Sequence, residues 1–278
     1  MQPSPGSDMS TESSGLSAEQ LAHFNAFGYL VLKQCFSADE LATIQREFGY
    51  KMDQQYGDTY DGTRRYWTRL LDEDTPFYAS LLEDPRFLTV AQQMYGDDVL
   101  GMNTDANRYT GDTGWHRDTT TVSQYGVKFA FYHQHVDADS GALRVIPSTH
   151  LLPDDAGFDQ DVRGMQGENV PCAVLASEPG DVVAFDLRLW HAAFGGSTDR
   201  HMSTIVYYAN PGTPEEESAL TAQAANNVAY IRENFSPRQD CFFTKDWLAN
   251  PKRSPVRQAW IDRLDELHYF DAPGVVES

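Results

Sequence analysis

The chain has 278 residues, 41% of them hydrophobic and including 15 Phe, 14 Tyr and 5 Trp. These can fill a sizeable core, while a mean hydropathy of −0.51 argues against a membrane protein. Twenty-one Lys and Arg against 41 Asp and Glu leave a charge of −20, which repels nucleic acid and anionic membrane surfaces and makes neither an expected partner.

Residues 1–15 are Ser- and Pro-rich, with no positive or apolar region of the kind a signal peptide carries, so a disordered tail is expected. Residues 16–278 are expected to form one domain. Ser17-Ala18-Glu19-Gln20 is a capping box opening a first helix, which Gly28 stops. Tyr29-Leu30-Val31-Leu32 then reads as a strand. A second capping box, Ser37-Ala38-Asp39-Glu40, precedes Leu41, Ile44 and Phe48 at helical spacing. Residues Tyr50 to Leu71 mix Tyr, Gly, Asp and Arg without a clean period, and suit either a lid over a site or an aromatic loop packed on the core. Asp84-Pro85 gives an N-cap and an N1 proline to a third helix ending at Gly96.

From Val99 short strands dominate, at about 99–109, 127–136, 142–146, 172–176, 181–186 and 202–209. Val127, Phe129 and Phe131 alternate with Lys128, Ala130 and Tyr132, as a strand with two different faces requires. Such strands, in number, predict two packed antiparallel sheets. The polar stretch from Pro147 to Pro171 is expected to be a surface loop. Thr213-Pro214-Glu215-Glu216 starts a helix running towards Phe235, and Ser254-Pro255 starts a last one carrying Val256, Trp260, Leu264 and Leu267. No run approaches the ~18 apolar residues of a membrane span. Cys35, Cys172 and Cys241 form no Cys-x-x-Cys pair that would suggest zinc or thiol redox work, and fit a reduced, cytoplasmic chain.

The chemistry concentrates in Thr113-Gly114-Trp115-His116-Arg117-Asp118-Thr119-Thr120. On an extended segment side chains at i and i+2 share a face, so His116 and Asp118 can reach one metal ion together. The best third donor is His191, which follows the buried strand Asp181 to Asp186. Two histidines and one carboxylate with open positions suit a non-haem Fe(II) oxygenase. Nine residues on, Arg200 heads a strand where its guanidinium fork could hold a dicarboxylate cosubstrate. The default for such an arginine is a surface pair with Asp199 or Glu217. A rival metal pair is His133-Gln134-His135, which shares the i, i+2 logic of a cupin-type metalloenzyme, although a core role is simpler because both continue the face of Phe129 and Phe131. Trp115 and Trp190 each precede a proposed ligand, and on extended backbone they point the other way, into packing. His23, His150, His201 and His268 are read as structural.

These blocks resemble the phytanoyl-CoA dioxygenase family of Fe(II)/2-oxoglutarate-dependent dioxygenases over roughly residues 20 to 210. Beyond the triad the resemblance includes Ser140-Gly141-Ala142-Leu143-Arg144-Val145-Ile146-Pro147-Ser148-Thr149-His150 and Pro179-Gly180-Asp181. Ser148 stands where the family usually has glycine. The resemblance implies a mainly β fold, the double-stranded β-helix or jelly roll, with a core at about 99–210 and flanking helices. It implies iron ligation by His116, Asp118 and His191, cosubstrate binding by Arg200 and an asparagine beside the cosubstrate at Asn107. The implied reaction takes O2 and 2-oxoglutarate, hydroxylates or otherwise oxidises a C–H bond of a small molecule, and releases succinate and CO2. Asp118 favours that over halogenation, since related halogenases lack the carboxylate. Acyl-CoA, itself an anion, is not favoured by the charge. The other readings open at this point are a cupin-type metalloenzyme on His133 and His135, and a non-catalytic jelly-roll binding protein.

Overall fold

The computed structural model describes residues 15–153, 170–196, 199–234, 241–250 and 252–277. The expected tail, apart from Gly15, and the greater part of the expected loop from Pro147 to Pro171 lie outside these residues. In chain order the strands are β1 (Tyr29–Leu32), β2 (Tyr66–Arg69), β3 (Leu100–Tyr109), β4 (Thr113–His116), β5 (Gly126–Tyr132), β6 (Leu143–Val145), β7 (Ala173–Leu175), β8 (Val182–Asp186), β9 (His191–Ala193) and β10 (Arg200–Tyr208). They form two antiparallel sheets, one in the order β1-β8-β5-β10-β3-β2 and one in the order β4-β9-β6-β7. The helices are α1 (Ala18–Phe27), α2 (Ala38–Tyr56), α3 (Pro76–Leu81), α4 (Pro85–Tyr95), α5 (Pro214–Asn234), α6 (Lys245–Ala249) and α7 (Pro255–Glu266).

Strand β5 shows how the sequence pattern divides the molecule. Val127, Phe129 and Phe131 face the helices and join Ile44, Phe48, Met52 and Tyr56 in one large core. Ala130 and Tyr132 face the other sheet, packing with Leu143, Val145, Phe185 and Met202. Burying a side chain of this size stabilises by about 1.5–3 kcal/mol, so the outer face of β5 fixes which face is left for the interior. The caps read from sequence form: Ser17 and Ser37 each close a reciprocal capping box, Gly28 ends α1 in the left-handed conformation at φ 82°, and Ser254 accepts from Arg257 N. Trp115 and Trp190 pack together with Ala192 and Val170, as their position before the ligand candidates requires.

The segment from Tyr50 to Leu71 differs from an irregular loop. Helix α2 runs through Gly49 because Met52 and Tyr56 continue the four-residue spacing of Ile44 and Phe48, and all four are buried. Further on, β2 pairs with β3 from Tyr66↔Arg108 to Arg69↔Asp105, which makes this part a wall of the sheet. Strands β4 and β9 and helices α3 and α6 are additions of three to six residues, too short to show a period. Ser148 keeps the backbone that glycine would take, with φ 68°, and its hydroxyl donates to Ala26 O at 2.8 Å.

Candidate metal centre

His116 ends β4 and His191 opens β9, and the two are direct partners across the ladder. Their rings lie 4.2 Å apart between centroids. Each Nδ1 is tied to a backbone carbonyl two residues before it, His116 to Gly114 O and His191 to Leu189 O, both at 2.9 Å. A proton on Nδ1 satisfies those carbonyls and leaves a lone pair on each Nε2. Both Nε2 atoms point at one carboxylate: His116 Nε2 is 4.0 Å from Asp118 Oδ1, and His191 Nε2 is 3.7 Å from Asp118 Oδ2. The donor atoms of the three residues lie within 4.8 Å of one another, the one such group of three among the described residues. A shared ion at about 2.0–2.2 Å from each donor would draw these atoms somewhat closer together.

The local backbone holds this arrangement. Asp118 N donates to Leu187 O at 3.0 Å, fixing the segment after β4 to the one before β9. From α5, Gln223 reaches the same place, its Nε2 donating to Asp118 O at 3.4 Å while its Oε1 accepts from Thr120 Oγ1 at 2.8 Å. The Thr119 hydroxyl donates to Thr121 O.

Electrostatics keep all three groups in the form that binds a cation. Burial pushes the His116 imidazole down to about 3, with His191 beside it acting in the same direction, and burial likewise lowers His191. Burial opposes ionisation of Asp118, but the Lys128 ammonium and the facing imidazoles outweigh it and hold the carboxyl well below its usual range. Lys128 Nζ stands 2.8 Å from Asp118 Oδ2 as an ion pair, while Oδ2 lacks an aligned hydrogen bond.

Arg200 is 1% exposed and does not pair with either acid near it: Asp199 takes Arg108 and His201, and Glu217 takes Arg263. Its guanidinium enters the pocket that also holds His116, Asp118, His191, Tyr132 and Thr204. Nε and Nη1 have no hydrogen-bond partner, nor does the Thr204 hydroxyl. The glycines around it are required by space. A Cβ on Gly141, at φ 86°, would come 1.9 Å from Arg200 Nη1, and one on Gly196 would come 2.5 Å from it. A buried cation with idle donors costs several kcal/mol, so this cradle fits an anionic ligand.

Asn107 also reaches the pocket, wired between Arg65 and Asp105. Its Oδ1 accepts from Arg65 Nε at 2.9 Å and Nη2 at 2.6 Å, and its Nδ2 donates to Asp105 Oδ1 at 2.6 Å. Arg65 and Asp105 were not singled out as site residues in the sequence. Asn103, Asp105 and Asn107 alternate along β3, a period of two that could have shown the face, and Lys128 is the one charge on the otherwise apolar β5. His116 and Asp118 also border a cavity of about 840 Å³ whose walls include Trp67, Asn103, Gln223, Tyr230, Phe242 and Tyr269. Nothing short of the fold brings residues from β2, β3 and the C-terminal segment to one place.

The rival pair does not converge. His133 is buried among Phe48 and Phe131, with Nε2 against Tyr78 Oη and Ser203 Oγ, and His135 lies at the surface with Glu178 and Asp137. The four remaining histidines are structural in their contacts. His150 bonds Asn25 O, His201 meets Asp199, His268 meets Asp271, and His23 packs on Phe27 and Tyr29.

The family model described as Phytanoyl-CoA dioxygenase (PhyH) matches residues 24–202. An ectoine dioxygenase of Sphingopyxis alaskensis is 27% identical over 239 residues, covering 72% of this chain and 78% of the relative. The structure of EctD from S. alaskensis with bound Fe is 25% identical, with a TM-score of 0.54 over 73% of this chain and 80% of that one. The structure of HygX from Streptomyces hygroscopicus with nickel and 2-oxoglutarate bound is 19% identical, with a TM-score of 0.57 over 69% of this chain and 87% of that one. The jelly-roll, cupin-like fold is shared with these structures.

Proposed function

Since the chain belongs to the phytanoyl-CoA dioxygenase family, we propose that His116, Asp118 and His191 hold its Fe(II) and that Arg200 holds the far carboxylate of 2-oxoglutarate. The protein is an Fe(II)- and 2-oxoglutarate-dependent oxygenase of a small molecule. When bound, iron and cosubstrate supply the oxidising chemistry, taking up O2, oxidising a substrate C–H bond and releasing succinate and CO2. What the chain contributes is position. Two neutral imidazoles and one carboxylate on one side leave the other side open for cosubstrate and O2. Arg200 offers a carboxylate Nε and Nη1, which otherwise lack partners, on two edges of its planar guanidinium, and Nη2, held only by a 3.5 Å bond to Gly111 O, can complete a fork with either, a geometry that lysine does not offer. Tyr132 and Thr204 line the same pocket, and the sheets around it exclude water, which strengthens every charge interaction inside. Asn107 supports the cosubstrate side by holding Arg65 and Asp105 in place.

The observation that carries this reading is the convergence of three donors beside a buried arginine whose donors are idle. The primary substrate enters the cavity of about 840 Å³, within the size range of sites that enclose small molecules. Purified protein given Fe(II) and 2-oxoglutarate is expected to release succinate slowly without substrate and faster with it, with added oxygen visible by mass. Succinate release that needs no Fe(II), or none at all from iron-loaded protein, contradicts the reading.

A further inference from the structure

Lys128 is out of place by the logic of its strand. β5 is an interior strand, hydrogen-bonded to β8 and β10 on its two sides, and every other residue from Gly126 to Tyr132 is buried. Lys128 shares the inward face with Ala130 and Tyr132, its side chain 20% exposed, opposite Phe185 and Val206 in the ladder. A charge in such a place is costly unless a partner compensates it, and Asp118 at 2.8 Å is that partner. The lysine also lines both the pocket that contains Arg200 and the larger cavity, so it stands where the two meet.

We infer that Lys128 is a positioning residue that holds one oxygen of Asp118 and so limits this carboxylate to single-oxygen ligation. The inference rests on the triad reading above. Three protein donors leave three positions at a six-coordinate ion, two for the keto-acid end of the cosubstrate and one for O2. A carboxylate that chelated through both oxygens would take one of them. The ammonium holds Oδ2, which His191 Nε2 also faces at 3.7 Å, and leaves Oδ1 as the oxygen without a cationic partner, facing His116 Nε2. Asp118 is anchored at its backbone by Leu187 O and Gln223, so the lysine acts on the one part of the residue that can still rotate.

The sign of an affinity change separates this role from simple charge. Lys128→Met removes a cation from beside a dication, and repulsion alone would make metal binding tighter. A positioning role makes it weaker, by roughly 10- to 100-fold, as loss of an outer partner of a ligand does. Mn(II) binding followed through the paramagnetic resonance of the free ion reads this without turnover. The expected result is a higher Mn(II) Kd in Lys128→Met and Lys128→Gln, partial recovery in Lys128→Arg, and 2-oxoglutarate affinity of the Mn-saturated protein within about twofold of wild type in each. Thermal melting shows which variants are folded, and either neutral variant suffices. Equal or tighter Mn(II) binding overturns the inference, as does unchanged Mn(II) affinity with weakened 2-oxoglutarate. Binding that depends on His191 but not on Lys128 contradicts the lysine's role alone; binding indifferent to His191→Ala contradicts the site.

Discussion

At the scale of single residues, the chain separates the groups that bind from those that aim them. His116 and His191 present Nε2 because backbone carbonyls hold Nδ1, and a change to either carbonyl segment would rotate a donor away from the ion. Arg200 is the residue whose burial makes least sense without a ligand, so it gives a sharp prediction. Arg200→Gln should keep the metal affinity and raise the 2-oxoglutarate KM by roughly 10- to 150-fold, the loss of about 1.5–3 kcal/mol for a charged hydrogen bond. Steady-state kinetics on succinate release check this, and Arg200→Lys should recover little because a point charge cannot replace the fork. His116, Asp118, His191 and Arg200 were legible in the sequence, since an i, i+2 pair and a guanidinium after the distal histidine are patterns of residue type and spacing. Arg65, Asp105 and the pairing of Lys128 with Asp118 were not, because their meaning comes from the strands that bring them together.

At the scale of elements, the site depends on the β4–β9 ladder and the turns beside it. His116↔His191 pairing sets the imidazole separation, and a slip of one residue would turn one ring to the opposite face. Gly141 precedes β6 by one turn and lies against Arg200. Gly141→Ala is therefore expected to lower Tm and raise the 2-oxoglutarate KM together, because its φ of 86° disfavours any side chain and its Cβ would occupy the guanidinium's place. A variant with an unchanged KM would show that the arginine can find its position without the glycine. Capped helices and long strands were readable from caps, periods and alternation. The short strands β2, β4 and β9 were not, since they gain their pairing from distant partners and carry too few residues for a pattern.

For the molecule as a whole, the two faces of the large sheet serve different ends, a thick aromatic core under the helices and, between the sheets, a smaller apolar cluster beside the pocket that holds Arg200 and the candidate ligands. The outer core includes His133, whose burial pushes its imidazole down to about 3 from the ordinary 6.5. The unfolded chain takes up that proton near pH 6.5 and the native chain does not, so this contribution is full above 6.5 and is lost as pH falls towards 3. Its slope is at most about 1.4 kcal/mol per pH unit. Denaturant unfolding at stepped pH should show stability declining with acid over that window, with a shallower decline in His133→Leu whatever that variant's starting stability. An equal slope in both would mean that His133 ionises freely in the native state.

The central claim, one ferrous ion on His116, Asp118 and His191 with the cosubstrate backed by Arg200, is most directly tested by anaerobic titration of the protein with Fe(II) and then 2-oxoglutarate, followed by the visible charge-transfer absorption of the chelate. Wild type should saturate at one iron and one 2-oxoglutarate per chain. Asp118→Ala should lose iron affinity by more than the roughly 100-fold that an outer partner commands, and Arg200→Gln should keep the iron but need far more 2-oxoglutarate to reach the same absorption. The same absorption at the same concentrations in all three proteins would contradict the account.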